Sequence, residues 1–430
     1  MSCLCIKDRQ SNQSEVFVKK TLRSETPRGY MTSRSALFHI ATILALLMVI
    51  ASLSHAQIMA GSSLNVLGFG AKCNGVTDDT AAIQAAINRA RASATGATIV
   101  IPEGMAGCVV SQLDVTNSQS RIRLVGEASM NGAQSYILCR ESSSNAGVCV
   151  DFSGTDSFNV ENLQIIGGAS AATAPRVTVL LGKTIESGGR IGNGSEITWS
   201  SVTVNTSGQY GVYNYGGEVW SCMQCYFVGG GVADVVLSDA NTAAITSPFA
   251  SLVSPPTSMT SIHFIGDTFT TVSTAVAVLL DPLPQQGEAP ISDIDFSNGY
   301  AHLAGPAFIA DTGSPTSQGL IQGVRVEGWR TEAYSPTTAF AIFNSVVTQI
   351  TIDAAYTISQ SSVVPLQFNG SWGPYSVSVA NINLRPGDWN GAYPPTVVQC
   401  HGNTRGVVIH EYLTSAGTPM HNSCLGATQM

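Results

Sequence analysis

The sequence predicts an all-β fold: a single-stranded, right-handed parallel β-helix with an N-terminal capping helix. Three observations predict it. A short apolar template recurs about every 30 residues after residue 150, a period typical of solenoids. Only 11% of the 430 residues are charged and 42 are glycine, which favours short strands and turns over long helices. One amphipathic helical pattern precedes the repeats, at residues 80–91.

Each repeat reads apolar, two variable residues, apolar, one variable residue, apolar. Ile291-Ser-Asp-Ile294-Asp-Phe296 is one example. A single unit cannot bury its apolar side, but stacked units form one continuous core with strands ~4.8 Å apart. Helix formers are sparse in the repeats, so a parallel β-helix is predicted rather than a helical solenoid. The fourth-position anchors are Leu163, Val202, Cys225, Ile262, Ile294, Val324, Ile350, Ile382 and Val407.

The open end of a solenoid must be covered. Residues 80–91 predict a helix whose small apolar face, with Ile83 and Ile87, is suited to that role. The glycine-rich stretch 68–79 matches neither a dinucleotide nor a triphosphate loop. Thr77 or Asp78 is therefore expected to cap the helix, and the adjacent pair Asp78 and Asp79 receives no catalytic role.

The N-terminal residues predict export. Residues 1–34 carry a charge of +4, and residues 36–53 form an apolar run that ends before Ser54-His55-Ala56. That pattern predicts a signal peptide at 31–56, an extension at 1–30 that is non-native or disordered, and a β-helix domain at 57–430. An uncleaved membrane anchor at 36–53 is the alternative. The predicted location is secreted, extracellular or periplasmic.

The cysteines fit an oxidising compartment, because eight of the ten follow the predicted cleavage site. Sequence does not fix their connectivity. Proximity favours three disulfides, and the Cys222-Met-Gln-Cys225 pair falls on inward template positions, which indicates a structural role. The favoured pairs are Cys73 with Cys108, Cys139 with Cys149, and Cys400 with Cys424.

The segments NVLGFGAKCNGVTDDTAAIQAAI, GATIVIPEGMAGCVV and RIRLVGEAS resemble the N-terminal segment of the pectate-lyase-like superfamily. That superfamily includes rhamnogalacturonase, polygalacturonase, epimerase-like and tailspike β-helices. The resemblance implies the fold and a carbohydrate partner, not a particular reaction. Cys73 stands where the family usually has glycine. The Asn-Thr-Asp, Asp-Asp, Gly-His-Gly and Arg-Ile-Lys motifs of polygalacturonases are absent from the repeats, which disfavours that machinery.

Polar residues between the last two apolar positions of the template point outward and are expected to stack from coil to coil. This arrangement predicts a cluster of His263, Asp293, Asp295, Arg325, Glu327 and Asp353 on about four coils. The first column comprises Gln164, Thr203, Tyr226, His263, Asp295, Arg325, Thr351, Asn383 and Val408. The second, one pleat along, comprises Ile265, Ser297, Glu327 and Asp353.

Carboxylates ~5 Å apart on neighbouring strands and roughly 7–8 Å apart on the diagonal suit glycoside hydrolysis. Asp295 and Glu327 are the predicted acid/base pair, supported by Asp293 or Asp353, with His263 and Arg325 for charge or substrate. A lyase with Ca²⁺ at Asp293 and Asp295 is the alternative chemistry. The cluster also fits a polar outer surface, with Asp295 and Arg325 as a cross-coil ion pair.

Aromatic residues are concentrated in SGQYGVYNYGGEVW. Tyr213, Tyr215, Trp220 and the nearby Tyr226 are candidates for stacking on sugar rings. Residues after 34 carry a charge of −12, which excludes nucleic acid as a partner and favours a neutral or partly acidic polysaccharide. The alternative to an enzyme is a non-catalytic glycan-binding β-helix, and the protein is expected to be a monomer or a trimer.

Overall fold

A computed structural model confirms the parallel β-helix. The residues that it describes are 62–429 without 104–105, 119–120, 128–134, 141–146, 169, 171–173, 187, 255–258, 284–290, 314–319, 359–362, 371–374, 387–395, 402, 411–420 and 425–426. The predicted extension, signal peptide or anchor, and cleavage site lie outside them. Within the described part of the chain, no helix has the length and apolar character needed to cross a membrane.

The coils are built from strands on three faces, each paired in parallel with the same face of the neighbouring coils. Face 1 consists of Ser62–Asn65, Ala97–Ile101, Ile122–Gly126, Phe158–Glu161, Ile197–Ser200, Trp220–Met223, Ile262–Ile265, Ile291–Ser297, Asn403–Ile409 and Thr428–Gln429. Face 2 consists of Asn74–Asp78, Gly107–Val110, Tyr136–Cys139, Gln164–Gly167, Thr203–Thr206, Tyr226–Val228, Thr268–Thr271 and Tyr300–Leu303. Three longer strands run through both faces: Leu320–Ala333, Val346–Ile358 and Tyr375–Pro386.

Face 3 forms a second parallel sheet. Its strands are Leu113–Asp114, Val148–Asp151, Val177–Gly182, Tyr210–Tyr215, Ala233–Ser238, Val276–Asp281, Ala307–Asp311, Ala339–Phe343, Leu366–Phe368, Thr396–Cys400 and His421–Asn422. A small antiparallel sheet lies apart from these faces and comprises Thr184–Ile185, Ile191–Gly192 and Ser251–Leu252.

Single residues in the left-handed region turn the chain at two corners of many coils. One corner opens face 1, at Ser157, Glu196, Val219, Ser261, Asp293 and Gln349. The other joins face 1 to face 2, at Asn162, Ser201, Gln224 and Asn298. A glycine occupies the same corner positions on other coils, for example Gly323 (φ 68°) and Gly328 (φ 60°). Of the two variable residues between the first two apolar positions of the template, the first therefore points outward and the second occupies a corner.

The core is a set of inward stacks. Ile294 pairs with Val324, and the register of the next two strands places Ile350 directly over Val324. All three side chains are buried. The predicted common stack of these residues is confirmed. Aromatic rings fill the middle of the solenoid, where Phe264 and Phe296 lie 4.9 Å apart and nearly parallel. Contacts of this kind join consecutive coils through packing as well as through backbone hydrogen bonds.

The predicted cap is an α-helix at Thr80–Arg91, with Ile83, Ala86, Ile87 and Ala90 buried against the first coils. The N-cap residue is Asp79, not Thr77 or Asp78 as predicted, and its side chain makes no capping hydrogen bond. Asp78, one residue earlier, accepts a hydrogen bond from the Thr80 N–H at 3.0 Å. Asp79 instead faces the preceding loop and accepts from the N–H groups of Lys72 and Cys73 at 2.6 and 2.9 Å.

All three favoured disulfides are present, Cys73–Cys108, Cys139–Cys149 and Cys400–Cys424. Cys73 has a φ of 45°, the left-handed conformation that glycine adopts without strain. Cys222 and Cys225 are buried free thiols that point into the core.

Candidate active site on face 1

The predicted charged cluster lies on the outward side of face 1. His263 pairs with Asp295, and Asp295 pairs with Arg325, so these three side chains occupy consecutive coils. Alternate residues of the same strands, such as Ile294 and Phe296, are buried. Because a strand directs successive side chains to opposite sides, the burial of one set fixes the exposure of the other.

The same column continues in both directions along the axis. We call it the face-1 column. Its members, in order, are Arg123, Asn159, Thr198, Ser221, His263, Asp295, Arg325, Thr351, Asn381 and Val408.

Two predicted alignments along this column were wrong. The first three predicted members, Gln164, Thr203 and Tyr226, lie on face 2. Tyr226 therefore pairs with Thr268 on the next coil and not with His263. The template occurs at both corners of the coil: up to Tyr226 its last two apolar residues lie on face 2, and from His263 onward they lie on face 1. Asn383 pairs with Asp353, whereas Asn381 pairs with Thr351, because the true counterpart of Ile350 is Ala380.

Glu327 and Asp353 are neighbours in the parallel column next to Asp295, and each has a cationic partner. Arg325 Nη2 lies 2.6 Å from Glu327 Oε2, and Arg385 Nη2 lies 3.0 Å from Asp353 Oδ1. The hydrogen bond from Arg325 lowers the pKa of Glu327 below its ordinary value. Glu327 is therefore an anion at neutral pH, which suits a base or nucleophile rather than a proton donor.

Asp295 is placed differently. Its Oδ2 lies 3.9 Å from His263 Nδ1, and its Oδ1 is buried without a hydrogen-bond partner among the described residues. A buried carboxylate oxygen without a partner is costly, so this atom is suited to accept a hydrogen bond from a ligand group. Its unpartnered oxygen and the adjacent imidazole make Asp295 the carboxyl group of the cluster best placed to contact a reacting group.

Asp293 does not share that position. It occupies the corner that opens face 1, with a φ of 53°, and accepts a hydrogen bond from Thr260 Oγ1 at 2.9 Å. Within the described residues, one group of three metal-ligating side chains has ligand atoms within 4.8 Å of one another: Cys73, Asp79 and Cys108, whose cysteines form a disulfide. A Ca²⁺ ion at Asp293 and Asp295 would need further oxygen ligands from water or substrate.

Grooves accompany the face-1 column at both ends. One, of about 540 Å³, is lined by Gln349, Thr351, Asn381 and His410, with His410 Nε2 3.3 Å from Asn381 Oδ1. Another, of about 430 Å³, is lined by residues that include Arg123, Asn159 and Glu196. The polar surface that contains Asp295 therefore extends well beyond the charged cluster.

Three of the four predicted sugar-stacking aromatics cannot contact a ligand, because Tyr213, Tyr215 and Trp220 are no more than 2% exposed. Trp220 lies in the core against Trp199. The two tyrosines lie on the outer side of face 3, in a second apolar cluster that also contains Ile245 from the loop after Ser238. Tyr226 is 36% exposed, and its hydroxyl donates to Thr270 at 3.2 Å.

A second group of polar and aromatic side chains was not predicted. We call it the face-2 cluster. It lies just past the corner from Glu327, and its signal was the alternation Tyr-x-His and Arg-x-Glu-x-Tyr in two consecutive coils. From residue 259 onward the template falls on face 1, so it does not cover these face-2 positions. Its members are Tyr300, His302, Arg330, Glu332 and Tyr334.

The fold and the outward polar surface define a class, the parallel β-helices of pectate-lyase-like architecture. Residues 63–136 match the family model described as rhamnogalacturonase A/epimerase, pectate lyase-like. The resemblance to the pectate-lyase-like superfamily is confirmed over this segment. No curated protein sequence matches the chain.

Solved structures with a similar fold share little sequence with the chain. ORF18 of Geobacillus virus E2 is 17% identical, with 75% of this chain and 62% of that chain covered and a TM-score of 0.43. This chain thus spans less than two thirds of the viral protein. PfbA, a surface adhesin of Streptococcus pneumoniae, is 14% identical, with 81% and 87% covered and a TM-score of 0.48. DFA-IIIase from Arthrobacter chlorophenolicus A6 is 10% identical, with 86% and 92% covered and a TM-score of 0.49.

Proposed function

We propose that this protein acts on a polysaccharide outside the cell, and that face 1 binds the sugar chain and cleaves it at Asp295. The stacking of His263, Asp295 and Arg325 on three consecutive coils is the observation that carries the proposal. Three disulfides and the leader pattern in the sequence support export.

The proposed roles follow from the contacts. Asp295 transfers the proton, because it has an unpartnered buried oxygen and an imidazole as neighbour. Glu327, on the diagonal roughly 7–8 Å away, supplies a carboxylate that Arg325 keeps ionised. That spacing fits an inverting hydrolase, in which water lies between acid and base. In the lyase alternative, Arg325 neutralises a uronate carboxylate and His263 or Asp295 removes the proton.

The substrate we propose is a long and largely uncharged glycan. The face-1 column carries hydroxyl and amide groups over several coils on both sides of Asp295, which suits hydrogen bonding to successive sugars. The chain's net charge of −8 disfavours a strongly anionic polymer. Opposite charges on face 1 also compensate one another, as in the pair Arg123 and Glu161 at 2.7 Å.

A non-catalytic glycan-binding protein is the second candidate. The specific observation in its favour is that Glu327 and Asp353 are already paired with Arg325 and Arg385. Carboxylates held in such pairs also keep an outer face charged and hydrated without taking part in a reaction.

Incubation with a panel of neutral and uronate polysaccharides tests the proposal, with assays for new reducing ends and for unsaturated products. We expect Asp295→Asn and Glu327→Gln to lose at least about a hundredfold in rate. Glu161→Gln is the matched control, since Glu161 is also an outward, ion-paired carboxylate of face 1 but lies several coils away. Binding without product from the unmodified protein would establish the second candidate instead.

A further inference from the structure

We propose that the face-2 cluster is a second carbohydrate site, a platform that holds one sugar ring of the glycan against Tyr334. This inference rests on the proposed function, because it assigns the polysaccharide a second point of attachment. The cluster belongs to two consecutive coils, in which Tyr300 pairs with Arg330 and His302 pairs with Glu332. Their inward neighbours, such as Ala301 and Thr331, are buried, so the cluster faces outward.

Glu332 organises the cluster. Its carboxylate accepts hydrogen bonds from Arg330 Nη2 at 2.7 Å and from the Tyr334 hydroxyl at 3.3 Å, and it also bonds the Tyr300 hydroxyl. The hydrogen bond from Tyr300 is the largest cause of a lowered pKa at Glu332. The carboxylate is therefore an anion with its acceptor positions occupied by neighbouring donors.

The aromatic rings are fixed by the same network. His302 Nδ1 lies 2.6 Å from the Tyr334 hydroxyl, and the two rings are nearly parallel with centroids 5.8 Å apart. Tyr300 packs edge-on against His302 at 4.3 Å. In the bond between His302 Nδ1 and the Tyr334 hydroxyl, the tautomer of the imidazole decides which of the two donates.

Tyr334 is 61% exposed despite this fixed position. An ordered aromatic ring with a free face and hydrogen-bonding groups at its edge matches the surface of a sugar, which has an apolar face and a rim of hydroxyls. Arg330 and Glu332 cancel each other's charge, so the platform has no preference for an anion. The cluster has five residues, whereas a stable protein interface uses roughly 20–30 residues on each partner.

The test uses the full-length chain and five hexasaccharides as probes: cellohexaose, xylohexaose, mannohexaose, maltohexaose and hexagalacturonate. Binding is followed through the NMR signals of the tyrosine rings. We expect at least one neutral probe to bind, and Tyr334→Ala to weaken its Kd about three- to tenfold. Tyr334→Phe keeps the ring face and should change the Kd less than Tyr334→Ala does.

Phe249→Ala is the matched control, because Phe249 is an exposed aromatic outside both clusters, 40% accessible, and should leave the Kd unchanged. Asp295→Asn should abolish cleavage and leave the Tyr334-dependent binding intact.

Equal Kd values for Tyr334→Ala and the unmodified protein, or no binding of any probe, would overturn the platform. Loss of cleavage in Asp295→Asn together with unchanged binding in Tyr334→Ala would remove the platform alone. Tyr334-dependent binding without cleavage would keep the platform and remove the catalytic role of Asp295.

Discussion

Arg325 lies directly beside Asp295 on the next coil, yet its guanidinium turns along its own strand to Glu327, at 2.6 Å. The pairing therefore occurs within one strand. The alternative interpretation of the cluster as a polar outer surface had placed this ion pair across coils, between Arg325 and Asp295. The bond from Arg325 lowers the pKa of Glu327 and leaves Asp295 Oδ1 without a partner among the described side chains. One arginine thereby makes two neighbouring carboxyl groups chemically unequal.

Replacing Arg325 by glutamine should raise the pKa of Glu327 towards its ordinary value, because the charge-assisted hydrogen bond is lost. Carboxyl-carbon NMR titration of Glu327 measures this directly. Arg385→Gln is the control, since Arg385 pairs with Asp353 and should leave Glu327 unaffected. An unchanged pKa of Glu327 in Arg325→Gln would show that the ion pair does not form in solution.

Because of Asp267, the free energy of unfolding should fall as the pH rises from about 4 to 7. This aspartate is fully buried, and burial raises its pKa from 3.8 to about 7. Between these values the folded protein binds more protons than the unfolded chain, so the free energy of unfolding falls as pH increases. Denaturant titrations at several pH values should show a shallower slope for Asp267→Asn. A slope equal to that of the unmodified protein would contradict the assignment.

Phe296→Ala should cost about 3–5 kcal/mol in the free energy of unfolding, because it removes a ring that is 1% exposed and stacked on Phe264. Phe249→Ala, at an exposed aromatic outside the face-2 cluster, should change that free energy by less than about 0.5 kcal/mol. Urea denaturation followed by circular dichroism measures both. Similar losses for the two variants would mean that the inward stack does not dominate stability.

Gly299→Ala should destabilise the fold by about 1–3 kcal/mol or more, because an added Cβ would lie 2.1 Å from Trp329 Cζ3 and 2.6 Å from the Asp267 carbonyl oxygen. Gly147→Ala is the control, since a Cβ at that position meets no atom within 4 Å. Thermal unfolding compares the two. Equal Tm values would indicate that Trp329 moves aside at little cost.

The sequence was sufficient to predict the fold, the cap and the disulfides because each leaves a local pattern. Apolar spacing marks inward positions, an amphipathic run marks the helix, and nearby cysteines can be paired by proximity. The stack of Ile294 with its neighbours followed from spacing alone. The charged cluster on face 1, except for Asp293 at its corner, was also brought together as expected, because register along those coils is constant from His263 to Thr351.

The alignments failed where two corners share one pattern. An apolar residue followed by two variable positions and another apolar residue describes both corners equally, so Cys225 and Ile262 seemed equivalent although they open different faces. Burial of Tyr213 and Tyr215 was not predictable either, because it depends on a loop that covers the outer side of face 3. Contacts between segments far apart in sequence leave no local pattern.

The two one-residue corners also determine which changes in length the chain can accept. A residue added inside a face-1 strand would reverse the orientation of every side chain up to the next corner. Residues added between a face-3 strand and the following face-1 strand would lie outside the parallel sheets. The described residues between Ser238 and Ser251 already do so. Whole coils are consequently the natural unit by which such a protein gains or loses length, and each coil added would extend the groove by one strand spacing without disturbing the rest.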